Sequence, residues 1–321
     1  MASRAQLLTE FELIRKYFTR PARNAVLGVG DDAAVLALRP GFQLVASTDM
    51  MVEGTHFFPD ADPQALGHKA LAVNLSDMAA MGAIPKWAML SMALPKTDEG
   101  WLAGFSRGFF TLAERLEVDL VGGDTTRGPL NVCVQIMGEV ETGLALRRDA
   151  ARIGDDVWVS GQLGDAALAV AHLQSRFQLP ATIAARCRLR LDRPEPRVAL
   201  GRALIGCAHA AIDISDGLLA DLGHVCKRSG VGAVVDFDAL PCAPDIRPLR
   251  DQEEVARALL AGGDDYELCF TAPGDRREKI ALLAAREGVA LTRVGSIVEG
   301  AGVTVRGRTL TGKETGFDHF R

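Results

Sequence analysis

The sequence predicts a two-domain protein of layered α/β type, and three observations predict it. Helical and strand-like apolar periodicities alternate along the chain. At 321 residues it exceeds the usual size of a single domain. Its 33 glycines outnumber 13 Phe, 3 Trp and 2 Tyr together, as expected where many strands turn tightly into helices.

Taken in order, the N-terminal stretch carries a helical rhythm in Phe11, Ile14 and Phe18. Short strands are expected at 26–29, 33–38 and 42–49, then a long helix over 63–81. A strand at 87–94, a helix over 98–116, and strands at 119–121 and 131–140 follow. Residues 143–154 hold charge between two turn signals and mark the domain boundary, giving domains 1–146 and 147–321. Beyond it, strands are expected at 156–160, 210–214, 233–237, 266–271, 291–297 and 302–305, with helices at 165–173 and 216–229.

The net charge of −5 argues against a nucleic-acid protein, which would carry clustered Lys and Arg. The one short basic run, Arg147, Arg148 and Arg152, is sized for a single nucleotide phosphate or for a solvated face. Six cysteines without a C-x-x-C pair read as reduced, mostly buried thiols. The N-terminal helix is interrupted by Glu and Arg, unlike a signal peptide, and no apolar stretch reaches bilayer length. A cytoplasmic protein with no membrane partner is expected.

The informative residues are aspartates among small and hydroxyl neighbours: Asp31-Asp32, Ser47-Thr48-Asp49, Ser76-Asp77, Gly123-Asp124, and Asp213-Ile214-Ser215-Asp216. Most follow a β-rich apolar run, and ligands gather at strand ends in α/β layouts. Each alone has a plainer reading as a turn or helix cap. Asp77 resists that reading, because Leu75, Met78, Ala79 and Ala80 around it are apolar, and a buried carboxylate needs a cation or strong donors. If the carboxylates meet in one cleft, their repulsion must be offset by cations. Hard oxygen ligands suit Mg²⁺, held by a few carboxylates with waters and phosphate oxygens. Several Mg²⁺ ions fit a triphosphate meeting another phosphate. The chain has no P-loop and no protein-kinase signature. The remaining histidines show no metal-ligand spacing.

The strings GVGDDAAV (28–35), STDMMVEGTHF (47–57), KALAVNLSDMAAMGAIP (69–85), VGGDTTRGPL (121–130), AIDISDGLLADLGH (211–224), GGDDYEL (262–268) and GFDHF (316–320) resemble, in order, those of the thiamine-monophosphate kinase family. Its wider superfamily includes aminoimidazole ribonucleotide synthetase and selenophosphate synthetase. The resemblance implies an α+β fold: an N-terminal ATP- and Mg²⁺-binding domain whose sheet forms a barrel in a homodimer, followed by a C-terminal α+β domain. It implies phosphorylation of thiamine monophosphate by ATP. It implies Asp32, Ser47, Thr48, Asp49, Asp77, Asp124, Asp213 and Asp216 as magnesium ligands, and Gly123, Asp124, Arg148 and Ser215 as ATP contacts. His56, Asp264 and Phe317 match its thiamine-phosphate contacts. The family string usually reads GGEDYEL, and here Asp264 is one methylene shorter. Two other readings stand beside it: another ATP-dependent enzyme of the superfamily, and a non-catalytic nucleotide- or metal-binding regulator. Selenophosphate synthetases usually carry a reactive Cys or selenocysteine near the N-terminus, whereas the first Cys here is Cys133.

Overall fold

The structure is a computed structural model that describes residues 9–309. Phe317 and the string 316–320 lie outside the described residues. The chain divides into two compact units, one taking residues up to Met78 and Ile84–Glu141, the other Ala79–Ala83 and the chain from Thr142 on.

The first unit opens on α1 (Glu10–Tyr17), capped reciprocally by Thr9 and Glu12, each satisfying an N–H of the other. Its sheet has the order β1-β4-β2-β3, made of β1 (Phe42–Val52), β2 (Ile84–Leu94), β3 (Asp119–Arg127) and β4 (Asn131–Glu141). Only β2 and β3 run parallel; β4 pairs antiparallel with both β1 and β2. Between strands come α2 (Pro63–Ala80) and α3 (Glu99–Arg115). Nearly all of α2 is buried, including the polar Lys69, Asn74 and Ser76 among its apolar residues. α3 is capped by Asp98, whose carboxylate accepts the Trp101 N–H at 3.0 Å, and it stacks Trp101, Phe105 and Phe109 in one row.

The second unit is built on a six-stranded sheet of order β10-β7-β9-β5-β8-β6. Its strands are β5 (Asp156–Ser160), β6 (Ala210–Asp213), β7 (Gly232–Asp236), β8 (Leu268–Ala272), β9 (Leu291–Val298) and β10 (Gly302–Arg306). All five residues of β5 and of β8 are buried, and Trp158 stacks on Phe270 across that pair. The helices are α4 (Asp165–Leu173), α5 (Ala181–Asp192), α6 (Val198–Leu204), α7 (Leu218–Ser229), α8 (Glu253–Ala261) and α9 (Arg277–Glu287). All six cysteines are free, and all but Cys133 are buried.

Four differences from the sequence reading have physical causes. The strands expected at 26–29 and 33–38 reduce to two isolated bridges, Leu27 with Val35 and Val29 with Asp31, because the chain turns at Gly30 and leaves Val26 and Val35 exposed. β1 and β3 run past Asp49 and Asp124, so these two aspartates stand inside strands and not at their ends. α7 begins at Leu218 and not at 216, because Gly217 has a non-helical φ of +117°. Helices α5, α6, α8 and α9 were not expected. α5 and α9 each bury only two residues, Cys187 and Leu191 or Ile280 and Leu283, so their apolar stripe is thin.

Candidate functional site

In the first unit, β1 carries Ser47, Thr48 and Asp49. The pleat sends alternate side chains to opposite faces, so Ser47 and Asp49 share a face and Thr48 takes the other. The Ser47 hydroxyl donates to Asp77 Oδ2 at 2.5 Å, and the Asp49 N–H donates to Asn74 Oδ1 at 3.2 Å. Asn74 and Asp77 are one helical turn apart on α2 and lie side by side. The structure therefore brings Ser47, Asp49 and Asp77 together along one line of contact. Thr48 Oγ1 donates instead to the Val134 carbonyl at 3.1 Å, on the opposite face.

Asp32 is exposed in the loop after Gly30, its N–H donating to Asp31 Oδ1 at 2.9 Å. His56 sits in the turn that follows β1, half-buried, and its Nδ1 accepts the Val52 N–H at 3.0 Å. With Nδ1 accepting, the neutral ring carries its proton on Nε2 and presents a donor there. Gly123 lies in β3 at φ +149°, where an added Cβ would stand 1.8 Å from the Leu90 carbonyl oxygen. No other residue fits that approach. The exposed Asp124 follows it, in register with Ser91 of β2.

In the second unit, Asp213 ends β6 and is buried, while Ser215 and Asp216 are half-buried in the loop to α7. The N–H groups of Ser215, Asp216 and Gly217 all donate to Asp221 Oδ2, each at 3.1 Å. Asp221 is 3% exposed. Burial pushes its carboxyl up to about 7, and the like charge of Asp216 adds to the rise that the three donors oppose. Gly217 packs so closely that a Cβ would lie 2.5 Å from the Ala261 carbonyl carbon.

Asp264 stands beside this loop: its N–H donates to the Ser215 carbonyl at 2.9 Å, and Tyr266 donates to that of Ile214 at 2.8 Å. Asp264 and Tyr266 both hold left-handed backbone, with φ of +69° and +49°. Glu267 fixes the far end, taking Arg197 Nε at 2.7 Å and Nη2 at 2.5 Å, and the Ser160 hydroxyl at 2.6 Å. Arg148 is exposed, whereas its neighbour Arg147 is paired with Asp149 at 2.5 Å.

Among the described residues no three His, Cys, Asp or Glu side chains converge closely enough to enclose a metal. The donor set of the first unit is nevertheless all oxygen, with a hydroxyl and a carboxylate already in contact at Ser47 and Asp77. Such a set fits Mg²⁺, which takes few protein ligands and completes its shell with water and phosphate. Asp221, Arg197 and Glu267 were missed in the sequence. Asp221 carries the same signal as Asp77, an acid between apolar helix neighbours Leu218 and Leu222.

Residues 30–140 match the N-terminal domain, and residues 152–308 the C-terminal domain, of the AIR synthase related proteins. Fold and site together therefore define a two-domain protein of the AIR synthase related class. The thiamine-monophosphate kinase of Salmonella typhimurium is 44% identical over 318 residues, covering 97% of this chain and 98% of that protein. The crystal structure of thiamine-monophosphate kinase from Stenotrophomonas maltophilia K279a superposes with a TM-score of 0.84 at 49% identity, over 89% of this chain and 92% of that one. A structure described as AaThiL complexed with AMPPCP and TMP gives a TM-score of 0.78 at 31% identity, covering 97% of each chain. The chain belongs to the thiamine-monophosphate kinase family. Among the described residues no helix is long and apolar enough to cross a membrane.

Proposed function

We propose that the protein transfers the γ-phosphoryl group of ATP to thiamine monophosphate, releasing ADP and thiamine diphosphate. The observation that carries this reading is 44% identity to a thiamine-monophosphate kinase sustained over 97% of the chain. The relative described as bound to AMPPCP and TMP supports it. A phosphate oxygen of thiamine monophosphate attacks the γ-phosphorus in line. The new P–O bond forms as the bond to the ADP oxygen breaks, and no covalent protein nucleophile is required. Several bound Mg²⁺ ions would supply charge neutralisation between the two phosphate groups. In the first unit Asp32, Ser47, Asp49, Asp77 and Asp124 would hold them through side-chain oxygen and Thr48, whose hydroxyl faces away, through its backbone carbonyl, with Gly123 bringing backbone to ATP. In the second, Asp213 and Asp216 serve as further metal ligands, Ser215 and Arg148 contact ATP, and Asp264 contacts thiamine phosphate. The Nε2 donor of His56 suits a phosphate oxygen. Phe317 is assigned to the thiamine moiety from its sequence string alone.

The first unit is also assigned the dimer contact. Leu44 and Met50 of β1, with Val26, Leu27 and Val35 before it, are exposed apolar residues in one part of the sequence, and a second copy would cover them. Light scattering near the 34.3 kDa monomer mass at micromolar concentration would remove that assignment. The working compartment is taken to be the cytoplasm.

The test of the reaction is ADP release that depends on thiamine monophosphate, measured against thiamine and other phosphomonoesters. Tight ATP binding without turnover would replace the kinase by a regulator. Full activity in excess chelator would sink the metal assignment.

A further inference from the structure

We propose that Asp221 is a positioning residue that presets Ser215 and Asp216 for the nucleotide and its divalent cation. The proposal rests on the reading above of Ser215 as an ATP contact and Asp216 as a magnesium ligand. A loop leading from a strand into a helix ordinarily offers its backbone N–H groups to a phosphate. Here the three N–H groups of residues 215–217 are all turned onto Asp221 Oδ2, at 3.1 Å each. On the other side, the Ser215 and Ile214 carbonyls accept from Asp264 and Tyr266 at 2.9 and 2.8 Å. The backbone of this loop is thus satisfied from both sides by the unit's own groups. What it offers a ligand is side-chain oxygen, not backbone N–H.

That arrangement selects the chemistry. Hydroxyl and carboxylate oxygens attract a hard cation, and a carboxylate repels a bare phosphate, so a nucleotide is welcome at this loop as its metal complex. Asp221 is 3% exposed and lies behind the loop, so it acts on the ligand only by fixing Ser215 and Asp216. Substitution should therefore loosen nucleotide binding through geometry.

The experiment compares the full chain with Asp221→Ala and Asp221→Asn, measuring by calorimetry the binding of a non-hydrolysable ATP analogue with Mg²⁺, alongside melting temperature and both KM values. Losing the three hydrogen bonds that hold the loop should weaken analogue binding by about tenfold or more in Asp221→Ala. The KM for thiamine monophosphate should stay within about threefold. Asp221→Asn keeps one side-chain oxygen as acceptor and should recover most of the loss. Unchanged analogue binding in Asp221→Ala overturns the proposal. So does a fall of nucleotide affinity, thiamine-phosphate KM and melting temperature in step, with Asn no better than Ala. Should Asp221→Ala not fold, Asp221→Glu displaces the carboxylate by one methylene and takes its place: weakened analogue binding supports the proposal and unchanged binding overturns it. Because binding is read without turnover, failure of the wild type to phosphorylate thiamine monophosphate would strike the reaction assignment and leave this test standing.

Discussion

The acidic residues of the first unit stand mainly on regular secondary structure, whereas those of the second stand where a strand gives way to loop. Asp49 and Asp124 belong to β1 and β3 and Asp77 to α2, so sheet and helix hydrogen bonds hold their backbones. Ser215, Asp216 and Asp264 are held by a set of one-off contacts: a buried carboxylate, two left-handed residues and an anchored glutamate. Each unit does contain a carboxylate that gathers three consecutive N–H groups. In the first, Asp119 takes those of Arg23, Asn24 and Ala25 at 2.7, 2.5 and 3.2 Å, ahead of the Asp31-Asp32 loop. In the second, Asp221 ties down the residues assigned to the site themselves. The contrast teaches that chemistry and stability should separate cleanly under mutation in the first unit and remain entangled in the second.

The sharpest way to break that contrast is to remove an anchor from the second unit. Arg197→Ala leaves Glu267 buried without its cation and should cost about 3–5 kcal/mol of stability. Chemical denaturation reads this directly, and a loss below about 1 kcal/mol would show that the loop does not depend on the pair. In the first unit, Asp49→Asn preserves shape and the backbone bond to Asn74 but removes charge. Turnover should fall by about 10²–10³-fold, in line with loss of one transition-state electrostatic contact, while the melting temperature holds. Equal falls in turnover and stability would put the two units on the same footing.

The same contrast governs what could be read in the sequence. Elements with a strong period, such as β4, β5, α3 and α4, fall at or within a residue or two of their expected bounds, because burial of one face writes directly into the order of apolar residues. The serine and aspartates of β1 and α2 were legible as candidates for the same reason. Thr48 was grouped with its neighbours, yet a strand necessarily turns it to the other face, an inference the period of two already permits. The supports of the second unit were less legible. Asp221 shows the acid-among-apolars signal of Asp77, but its partners do not follow from it: it gathers three loop N–H groups, as Glu267 gathers an arginine 70 residues away in sequence, and no local pattern encodes such pairings. Helices with two buried residues leave equally little trace.

Acid tests the stability of the second unit away from its loops. Asp156 is buried on β5, and hydrogen bonds from Arg277, reinforced by Arg293, hold its carboxyl below its ordinary value of 3.8. A depressed folded pKa means that its stabilisation is complete above the unfolded value and is lost as pH falls through the folded one. Arg277→Leu should therefore lower stability at neutral pH and move the onset of acid unfolding upward. An unchanged acid midpoint would show that Arg293 alone suffices.

The smallest expected effect on stability, and the finest test, falls at Asp264. Its left-handed backbone costs a non-glycine residue about 1–2 kcal/mol in general, less for Asp, whose short polar chain tolerates that region. Asp264→Gly removes that strain but adds about 0.5–1 kcal/mol of unfolded-chain entropy. The two nearly cancel, so the melting temperature should rise slightly or stay put, and the N–H bond to the Ser215 carbonyl survives because it is main-chain. Kinetics then isolates the side chain. If the carboxylate contacts thiamine phosphate, Asp264→Gly should raise that KM severalfold with the KM for ATP near wild type. Asp264→Glu restores the residue usual in the family and should hold or lower the thiamine-phosphate KM, despite the poorer fit of a longer chain to positive φ. If Asp264→Gly leaves both KM values unchanged, residue 264 serves only to hold Ser215 by its backbone. The loop would then contribute architecture, and substrate recognition would have to come from other residues.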